Sequence, residues 1–262
     1  MLEAWLSSDQ TVVPKSSVYL PGQSTQQVND QNTADFLGSQ DHAIAAASCE
    51  LKYPKGIAIQ SFTKGTKAAS VLQVGDKFVT FNGQDASSID KLHALLDKAT
   101  PGQTATVGVE REGKPMTVSV VLGKPNSGTT GASIGVSIVE GCIAPFQVDL
   151  GLGNQIGGPS AGMMFALGII DKVGSVDLTH GKFIAGTGEI DNAGNVGAIG
   201  GIQLKMIAAR RAGATVFLAP ASNCSDVRGH IPSGLQVIKV ATLHQAVTDL
   251  EALNAGQPVP HC

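Results

Sequence analysis

The chain has 262 residues, of which 42% are hydrophobic, and its formal net charge is −3. This length and composition predict a globular body with more than one domain. Because 18 Lys and Arg residues stand against 21 Asp and Glu residues, with no basic cluster interleaved with aromatic residues, the sequence excludes nucleic acid as a partner. The longest apolar stretches reach about half of the roughly 20 residues that cross a bilayer, so this chain itself is expected to be soluble.

The first half of the chain changes character near residue 50. Residues 1–50 are polar and predict an N-terminal segment of helical and extended structure. Residues 51–124 form a domain of short alternating segments, and residues 125–131 are a polar linker. The predicted elements are a helix over Gln26–Ala47, strands over Gly56–Phe62, Lys77–Phe81, Thr104–Glu110 and Met116–Leu122, and a helix over Ser88–Lys98.

Residues 132–262 form a second predicted domain in which strands and helices alternate, so the expected fold class is mixed α and β. The predicted strands cover Ile134–Val139, Phe146–Leu150, Phe183–Thr187, Val216–Leu218 and Val237–Val240. The predicted helices cover Ala161–Ile170, 202–212 and 242–253.

Ser160 lies in the sequence GGPSAG, just before the helix predicted over Ala161–Ile170. That helix contains no charged residue and is therefore expected to be buried on every side. The small residues around Ser160 let another chain approach the backbone, so the N–H groups of Gly158, Ser160 and Ala161 are candidate donors to an oxyanion. The alternative is that the serine only caps the helix.

Lys205, which follows Ser160 by 45 residues, is the candidate base. On the predicted helix it shares one apolar stripe with Ile202, Met206 and Ala209. Desolvation on such a stripe would lower the pKa of the amine and leave it able to accept the serine proton. Thr187, in a Thr-Gly-Glu sequence, is a candidate to orient the amine. The alternatives are a surface lysine with a packed stem and an ordinary glycine-containing turn.

Together these segments resemble the proteolytic domain of Lon-type proteases, specifically the PDZ-containing Lon-like membrane proteases of actinobacteria. GGPSAG is similar to the nucleophile motif of that family, TGEIDNAGNVGAIGGIQLK to the stretch that ends in its dyad lysine, and RAGATVFLAPASN to the strand and loop that follow. The resemblance implies Ser160 as nucleophile, Lys205 as general base and Thr187 as the partner of the lysine. Gly157 stands where many ATP-dependent Lon enzymes have Asp.

The segments Leu72–Lys77 and Phe81–Gly83 resemble the PDZ domains of bacterial proteases, in which a Val-Gly-Asp turn precedes a strand and an Asn-Gly hairpin. The resemblance implies a groove between the Ser88–Lys98 helix and an edge strand that begins at Lys55, Gly56, Ile57 and Ala58. A peptide would add there as a strand, with its carboxylate near Gly56, and the domain would select or deliver substrate. A spacer or an oligomer contact is the alternative.

The resemblance has further implications for partners and location. It implies an ATP-independent endopeptidase that cleaves unfolded or flexible polypeptide segments, because no ATPase is present. The phosphate-loop spacing at Gly108–Lys114 is followed by Pro115 in a hairpin, so no nucleotide cofactor is expected, nor any other. It also implies a homo-oligomer, and a cell-membrane location in which an anchor upstream of this chain holds an extracytoplasmic body.

The four cysteines, Cys49, Cys142, Cys224 and Cys262, lack the spacing of a zinc site, so no metal is predicted. Unpaired thiols and disulfides are both compatible with their wide separation. If the body is extracytoplasmic, as the resemblance implies, the expected disulfide joins Cys224 and Cys262.

Two other functions use the same residues. Ser160 fits the nucleophile elbow of an α/β-hydrolase, with Asp226 and His244 following in the order of a Ser-Asp-His triad. That interpretation needs an apolar strand before the serine, whereas residues 150–158 contain four glycines, and it gives Lys205 no role. The remaining alternative is a catalytically silent scaffold that binds peptides through its PDZ and Lon-like domains.

Overall fold

The computed structural model describes residues 24–125, 130–146, 148–149, 151 and 157–262. Helices and strands are mixed, which confirms the predicted fold class. The chain divides into two compact units. One contains Lys52–Asp149, and the other combines the described residues up to Leu51 with those that follow Leu150. Among the described residues, none of the helices combines the length and the apolar character that a membrane span requires.

The unit of Lys52–Asp149 is built on an antiparallel sheet with the strand order β5-β4-β2-β1-β6, and β3 pairs with β2. The strands are β1 (Lys55–Phe62), β2 (Lys77–Phe81), β3 (Gln84–Asp85), β4 (Thr104–Arg111), β5 (Lys114–Val121) and β6 (Val136–Cys142), and the helices are α2 (Ile89–Leu96) and a 3-10 turn at Ala68–Ser70. β6 pairs with β1 along almost its whole length. The unit therefore extends past residue 124, where the sequence placed the end of this domain.

The core of this unit is a single apolar cluster under the sheet and α2. Its fully buried side chains include Ile57, Phe78, Leu92 and Val107. Asp76 of the Val-Gly-Asp turn is buried and receives two hydrogen bonds of 2.7 Å from Arg111 at the end of β4. A bidentate guanidinium satisfies a carboxylate that burial would otherwise penalise, so this pair fixes the turn before β2.

The other unit begins with α1 (Thr25–Glu50), close to the predicted Gln26–Ala47. Its start is set by a capping box, because the Ser24 hydroxyl accepts from the amide of Gln27 while the Gln27 side chain accepts from the amide of Ser24. The other helices are α3 (Gly162–Val173), α4 (Ile202–Arg211), α5 (Cys224–Val227) and α6 (Leu243–Asn254), with a 3-10 turn at Ala221–Asn223. α3 carries six buried residues, but Gly168 is exposed, so the helix is mostly buried rather than buried on every side as predicted.

Three strands of this unit form a parallel sheet in the order β11-β10-β7, and two more form a hairpin. They are β7 (Ile184–Gly186), β10 (Val216–Pro220) and β11 (Gln236–Val240), and the hairpin of β8 (Glu189–Ile190) and β9 (Val196–Gly197). Every residue of β10 is buried, as expected for the central strand of a parallel sheet. The predicted strand over Phe146–Leu150 and the linker over 125–131 include residues outside the described ranges.

A disulfide between Cys224 and Cys262 fixes the end of the chain. The bond confirms the pairing expected from the resemblance, and Cys262 packs against the core cluster that contains Ile202 and Met206 of α4. Cys49 and Cys142 are disulfide-bonded as well, so the alternative of four unpaired thiols is wrong.

Candidate active site

Ser160 lies in the turn that leads into α3. The helix begins at Gly162, and its N-cap residue is Ala161, which makes no side-chain capping bond. The interpretation of Ser160 as the helix cap is therefore wrong. Gly158, two residues before the serine, has a φ angle of 80°, a conformation that side chains disfavour. The sequence Gly-Pro-Ser thus produces a tight turn that leaves the serine hydroxyl outside the helix.

Lys205 of α4 contacts Ser160 directly. Its Nζ lies 2.8 Å from the Oγ of Ser160. The lysine is half-buried at the edge of the predicted stripe, in which Ile202 is 1% and Met206 0% exposed. Desolvation lowers the pKa of the Lys205 amine below its ordinary value of 10.5. An amine with a lowered pKa at this distance can exchange a proton with the hydroxyl.

Thr187 is 2% exposed and lies at the end of β7. Its hydroxyl donates a hydrogen bond of 2.9 Å to the backbone carbonyl of Ser160, and the amide of Gly188 donates a second bond of 2.8 Å to the same oxygen. The sequence led us to expect that Thr187 would orient the lysine amine. In the structure its hydroxyl donates to the backbone of the serine instead.

The three candidate oxyanion donors differ in whether their N–H groups already have a hydrogen-bond acceptor in the fold. The amide of Gly158 donates to the carbonyl of Asn32 at 2.9 Å, so it is occupied within the fold. The expectation that Gly158 belongs to the oxyanion site is corrected by this bond. Among the described residues, the amides of Ser160 and Ala161 have no hydrogen-bond acceptor. These two N–H groups, next to the start of α3, are available to an anionic oxygen.

The residues of the α/β-hydrolase alternative have other partners. The Nδ1 of His244, an exposed residue on α6, lies 2.8 Å from Oε1 of Glu50. Asp226 accepts a hydrogen bond from the side chain of Asn223. Since the Oγ of Ser160 bonds to Lys205, the structure does not assemble a Ser-His-Asp triad from these residues.

A cavity of about 460 Å³ opens beside Pro159, the residue before the nucleophile. Its walls come from the middle of α1 and from the β8–β9 hairpin. The lining includes Ser39, Ile190 and Val196 together with the carboxylates of Asp35, Glu189 and Asp191. The cavity thus lies on the Pro159 side of the turn that carries Ser160.

The predicted peptide-binding edge at Lys55, Gly56, Ile57 and Ala58 is not an edge. These four residues of β1 pair with Cys142, Gly141, Glu140 and Val139 of β6, and β2 lies on the other side of β1. The backbone groups that would receive a peptide at Gly56 are thus covered by the chain itself. The PDZ resemblance implied an edge at this strand, whereas the residues of β6 were predicted to belong to the second domain.

In this sheet, as the described residues define it, β6 is a terminal strand. The bond from the amide of Ile143 to the carbonyl of Pro54 fixes which pairs exchange hydrogen bonds. Because such pairs alternate in an antiparallel ladder, the backbone groups of Ile138 and Glu140 point away from β1, toward the open edge. The amide of Ala132, just before β6, donates to the carbonyl of Leu96 at the end of α2.

The sequence did not predict two features of the sites. The contacts of α1 with the nucleophile turn join Asn32 to Gly158 and Ser39 to Pro159 across more than a hundred residues. No local pattern signals such a contact, although the sequence predicted a helix over Gln26–Ala47. The edge position of β6 depends on strand order, which short strand patterns do not encode.

Two domain families match the sequence. Residues 154–252 match the Lon protease (S16) C-terminal proteolytic domain. Residues 22–122 match the PDZ domain. The chain therefore combines a PDZ domain with a Lon-type proteolytic domain.

Several individual relatives match part of the chain. A Lon protease from Citrifermentans bemidjiense is 35% identical over 106 residues, which cover 39% of this chain and 13% of that protein. A Lon protease from Neorickettsia sennetsu is 33% identical over 106 residues, 39% of this chain and 12% of that protein. A protein from Hahella chejuensis named probable periplasmic serine endoprotease DegP-like is 33% identical over 101 residues, 38% of this chain and 21% of that protein.

This chain thus spans only a small part of the length of each of these relatives. Among solved structures, the PDZ domain of an SdrC-like protein from Listeria monocytogenes is 21% identical, with a TM-score of 0.30. It covers 32% of this chain, and the match includes 87% of that domain.

Proposed function

We propose that this chain, in which a PDZ domain is joined to a Lon-type proteolytic domain, is a serine endopeptidase with a Ser160–Lys205 dyad. The observation that carries the proposal is the 2.8 Å separation of Lys205 Nζ and Ser160 Oγ. The lowered pKa of the lysine supports its role, because a general base must be deprotonated before it can act.

The proposed reaction begins when the Oγ of Ser160 attacks the carbonyl carbon of a peptide bond and transfers its proton to Nζ of Lys205. The amides of Ser160 and Ala161 stabilise the negative oxygen of the tetrahedral intermediate; one such donor is typically worth about 3 to 4 kcal/mol. As the C–N bond breaks, the ammonium of Lys205 returns the proton to the leaving amine. Water then attacks the acyl-serine while the lysine accepts its proton. The bond between the acyl carbon and Oγ breaks, and the ammonium returns the proton to Oγ of Ser160, which regenerates the enzyme.

We further propose that the substrates are unfolded or flexible segments and that cleavage needs no ATP. The open cavity beside Pro159 supports entry of an extended chain. The disulfide between Cys224 and Cys262 and the disulfide-bonded state of Cys49 and of Cys142 support an extracytoplasmic location, because such bonds persist in oxidising compartments. Membrane attachment and homo-oligomerisation stay predictions from the resemblance.

Cleavage of fluorescently labelled casein by the intact chain tests the dyad. Ser160→Ala and Lys205→Ala should each lower the rate by at least about 1000-fold, since the two residues act as a unit. Lys172→Ala, which removes an exposed lysine from α3, is the matched control and should cleave normally. Cleavage that survives Lys205→Ala would rule out the dyad. An unmodified chain that cleaves nothing would favour the peptide-binding scaffold.

For the PDZ domain, we propose that a substrate peptide adds as a strand to β6, where the amides of Ile138 and Glu140 face the open edge. Val136 and Ile138 of β6 and Ile89, Leu95 and Leu96 of α2 are partly buried apolar residues around the same core. They supply apolar contacts for a peptide that lies along β6. Such binding would hold a flexible substrate on the enzyme and raise its local concentration at the dyad.

Proline substitutions test the proposed edge, because proline removes one amide donor. Glu140 on β6 and Ser119 on β5 are both exposed, and the strand registers turn both amides outward at opposite edges of the sheet. In the Ser160→Ala chain, Glu140→Pro should weaken the binding of fluorescent decapeptides with free apolar C-termini by about tenfold. Ser119→Pro should leave it unchanged. Equal effects of the two variants on peptide binding would exclude β6 as the binding edge. The same measurement with C-amidated peptides reports whether the peptide carboxylate is recognised.

A further inference from the structure

The turn that carries Ser160 is held from one side by α1. The carbonyl of Asn32 accepts from the amide of Gly158 at 2.9 Å, and two helical turns later the Oγ of Ser39 donates to the carbonyl of Pro159 at 3.0 Å. These bonds end on the two residues immediately before the nucleophile. Ser39 is 3% exposed, so its hydrogen bond does not compete with water.

Apolar packing fixes α1 in the register that makes these bonds. Phe36, between Asn32 and Ser39 on the same helix face, is 3% exposed and packs edge-to-face on Phe165 of α3, with ring centroids 5.8 Å apart. The contact is also tight. A Cβ atom placed on Gly162, at the start of α3, would lie 2.7 Å from the Oγ of Ser39. The helix is therefore fixed against both ends of the nucleophile turn.

Among the described residues, the turn's own backbone bond runs from the amide of Gly162 to the carbonyl of Pro159 and is long, at 3.3 Å, so the Ser39 hydroxyl supplies the shorter bond to that carbonyl. Ser160 precedes α3, and its own amide has no acceptor among the described residues. On the far side, Thr187 and Gly188 hold the carbonyl of Ser160. On the N-terminal side of Ser160, the side chain of Ser39 hydrogen-bonds to the segment 157–159. Within the part of the chain that the structure describes, no other side chain does so.

We propose that Ser39 is a positioning residue of the catalytic site and acts through the carbonyl of Pro159. The inference rests on the proposed peptidase activity. It assigns the polar N-terminal helix a role in catalysis, since a displacement of the serine by about 1 Å can cost roughly 100-fold in rate. Substrate binding should change less than the rate, because Ser39→Ala removes only one oxygen atom from the cavity lining and leaves Lys205 in place.

The test compares Ser39→Ala with Ser48→Ala in the intact chain. Both serines lie on α1 and both are 3% exposed, but Ser48 makes no hydrogen bond to the nucleophile turn in the described residues. For a fluorogenic unfolded substrate, Ser39→Ala should lower kcat by about 10- to 100-fold with KM within about twofold. Ser48→Ala should keep kcat within about twofold. Unfolding midpoints, measured for both variants, separate this effect from a general loss of stability.

Amide hydrogen exchange supplies a readout that needs no activity. Loss of the Ser39 bond should speed exchange of the Gly158 amide by at least about tenfold, whereas Ser48→Ala should leave it unchanged. Equal kcat values for the two variants would overturn the proposal, whether or not exchange differs. If the unmodified chain cleaves nothing, the proposed function is overturned. The exchange rate of Gly158 then still decides whether Ser39 holds the turn.

Discussion

The Nζ of Lys205 and the Oγ of Ser160 lie 2.8 Å apart, although 45 residues separate the two in the sequence. Ser160 lies just before α3, and Lys205 lies in the first turn of α4. Lys205 reaches the serine from the border of a stripe in which Ile202 and Met206 are fully buried and Ala209 is partly buried. The same burial that lowers the pKa of the amine also places it against the hydroxyl. Position and protonation therefore have one structural cause, and both can be measured.

The pH dependence of cleavage should follow the Lys205 amine. A base acts only when deprotonated, so kcat/KM should rise with pH through the pKa of Lys205 in the free enzyme. Because desolvation lowers that pKa, the midpoint of the rise should lie below 10.5, the ordinary value for lysine. A profile of kcat/KM on an unfolded substrate between about pH 6 and pH 10 measures it.

Lys205→Arg is the control for this profile. A guanidinium stays protonated across the whole range, so this variant keeps the positive charge but should be inactive at every pH. A midpoint at or above the ordinary pKa of lysine would contradict the desolvated base. Activity of the arginine variant would do so as well.

The same lowered pKa makes a prediction about stability. Between the lowered pKa and 10.5, the unfolded chain binds more protons at Lys205 than the folded chain does. Stability of the unmodified chain should therefore rise with pH through this window, as the penalty of the buried charge disappears. Lys205→Met lacks the penalty at every pH. The difference between its free energy of unfolding and that of the unmodified chain should favour Lys205→Met most at neutral pH. This difference should decrease as the pH approaches 10.5.

Calorimetric unfolding midpoints between pH 7 and pH 10.5 test the trend. Lys172→Met, a change of the same kind at an exposed position on α3, controls for the loss of a lysine in general. A difference between Lys205→Met and the unmodified chain that stays constant with pH would mean that burial does not shift the amine.

The sequence predicted the parts of the site that depend on local pattern. A charge-free segment after Gly-Pro-Ser indicated the buried helix α3, and the apolar spacing around Lys205 indicated which face of α4 is buried. Both hold in the structure. The direction in which Thr187 donates could not be predicted, since it depends on how β7 lies beside the serine turn.

The peptide-binding edge shows the same limit in the other unit. The pattern of Lys55–Phe62 predicted a strand correctly, but a strand pattern does not say which neighbours flank it. β6 follows a polar segment, and a polar segment suggested a domain boundary. Strand order is decided by tertiary packing of β6 on β1, which is outside the reach of local propensity.

Gly162 at the start of α3 should tolerate no side chain. A Cβ there would lie 2.7 Å from Ser39 Oγ and 2.8 Å from Ile190 Cγ2, and Ile190 is itself buried. Gly162→Ala must therefore displace α1, the β8–β9 hairpin or the serine turn. We expect a loss of kcat of about 10- to 100-fold and a lower unfolding midpoint.

Gly168, in the same helix, is the matched control. An added Cβ meets no atom within 4 Å there. Gly168→Ala should raise stability by about 0.5 to 1 kcal/mol, because alanine restricts the unfolded chain and favours a helix, and it should leave kcat unchanged. Similar kcat values for the Gly162 and Gly168 variants would refute the proposed tight fit at the nucleophile turn.

The disulfide between Cys224 and Cys262 should contribute substantially to stability. The two residues are 38 apart in sequence, and closing a loop of that size in the unfolded chain is worth roughly 4 kcal/mol in the chain-entropy description. The double variant Cys224→Ala/Cys262→Ala should show a loss of that order in denaturant unfolding. Substitution is preferable to a reducing agent, because Cys49 and Cys142 are also disulfide-bonded and would be reduced at the same time.

Activity of the double variant distinguishes a global from a local effect of this bond. The end of the chain is also held by Arg228, whose Nε donates to the carbonyl of Cys262, and by the bond from the amide of Lys239 to the carbonyl of Pro260. The tail should therefore stay in place at 25 °C, and casein cleavage should remain within about twofold of the unmodified chain, since 0.4 kcal/mol is about a factor of two. A larger loss of activity in a chain that is still folded would mean that the contact of Cys262 with the core beneath α4 positions Lys205.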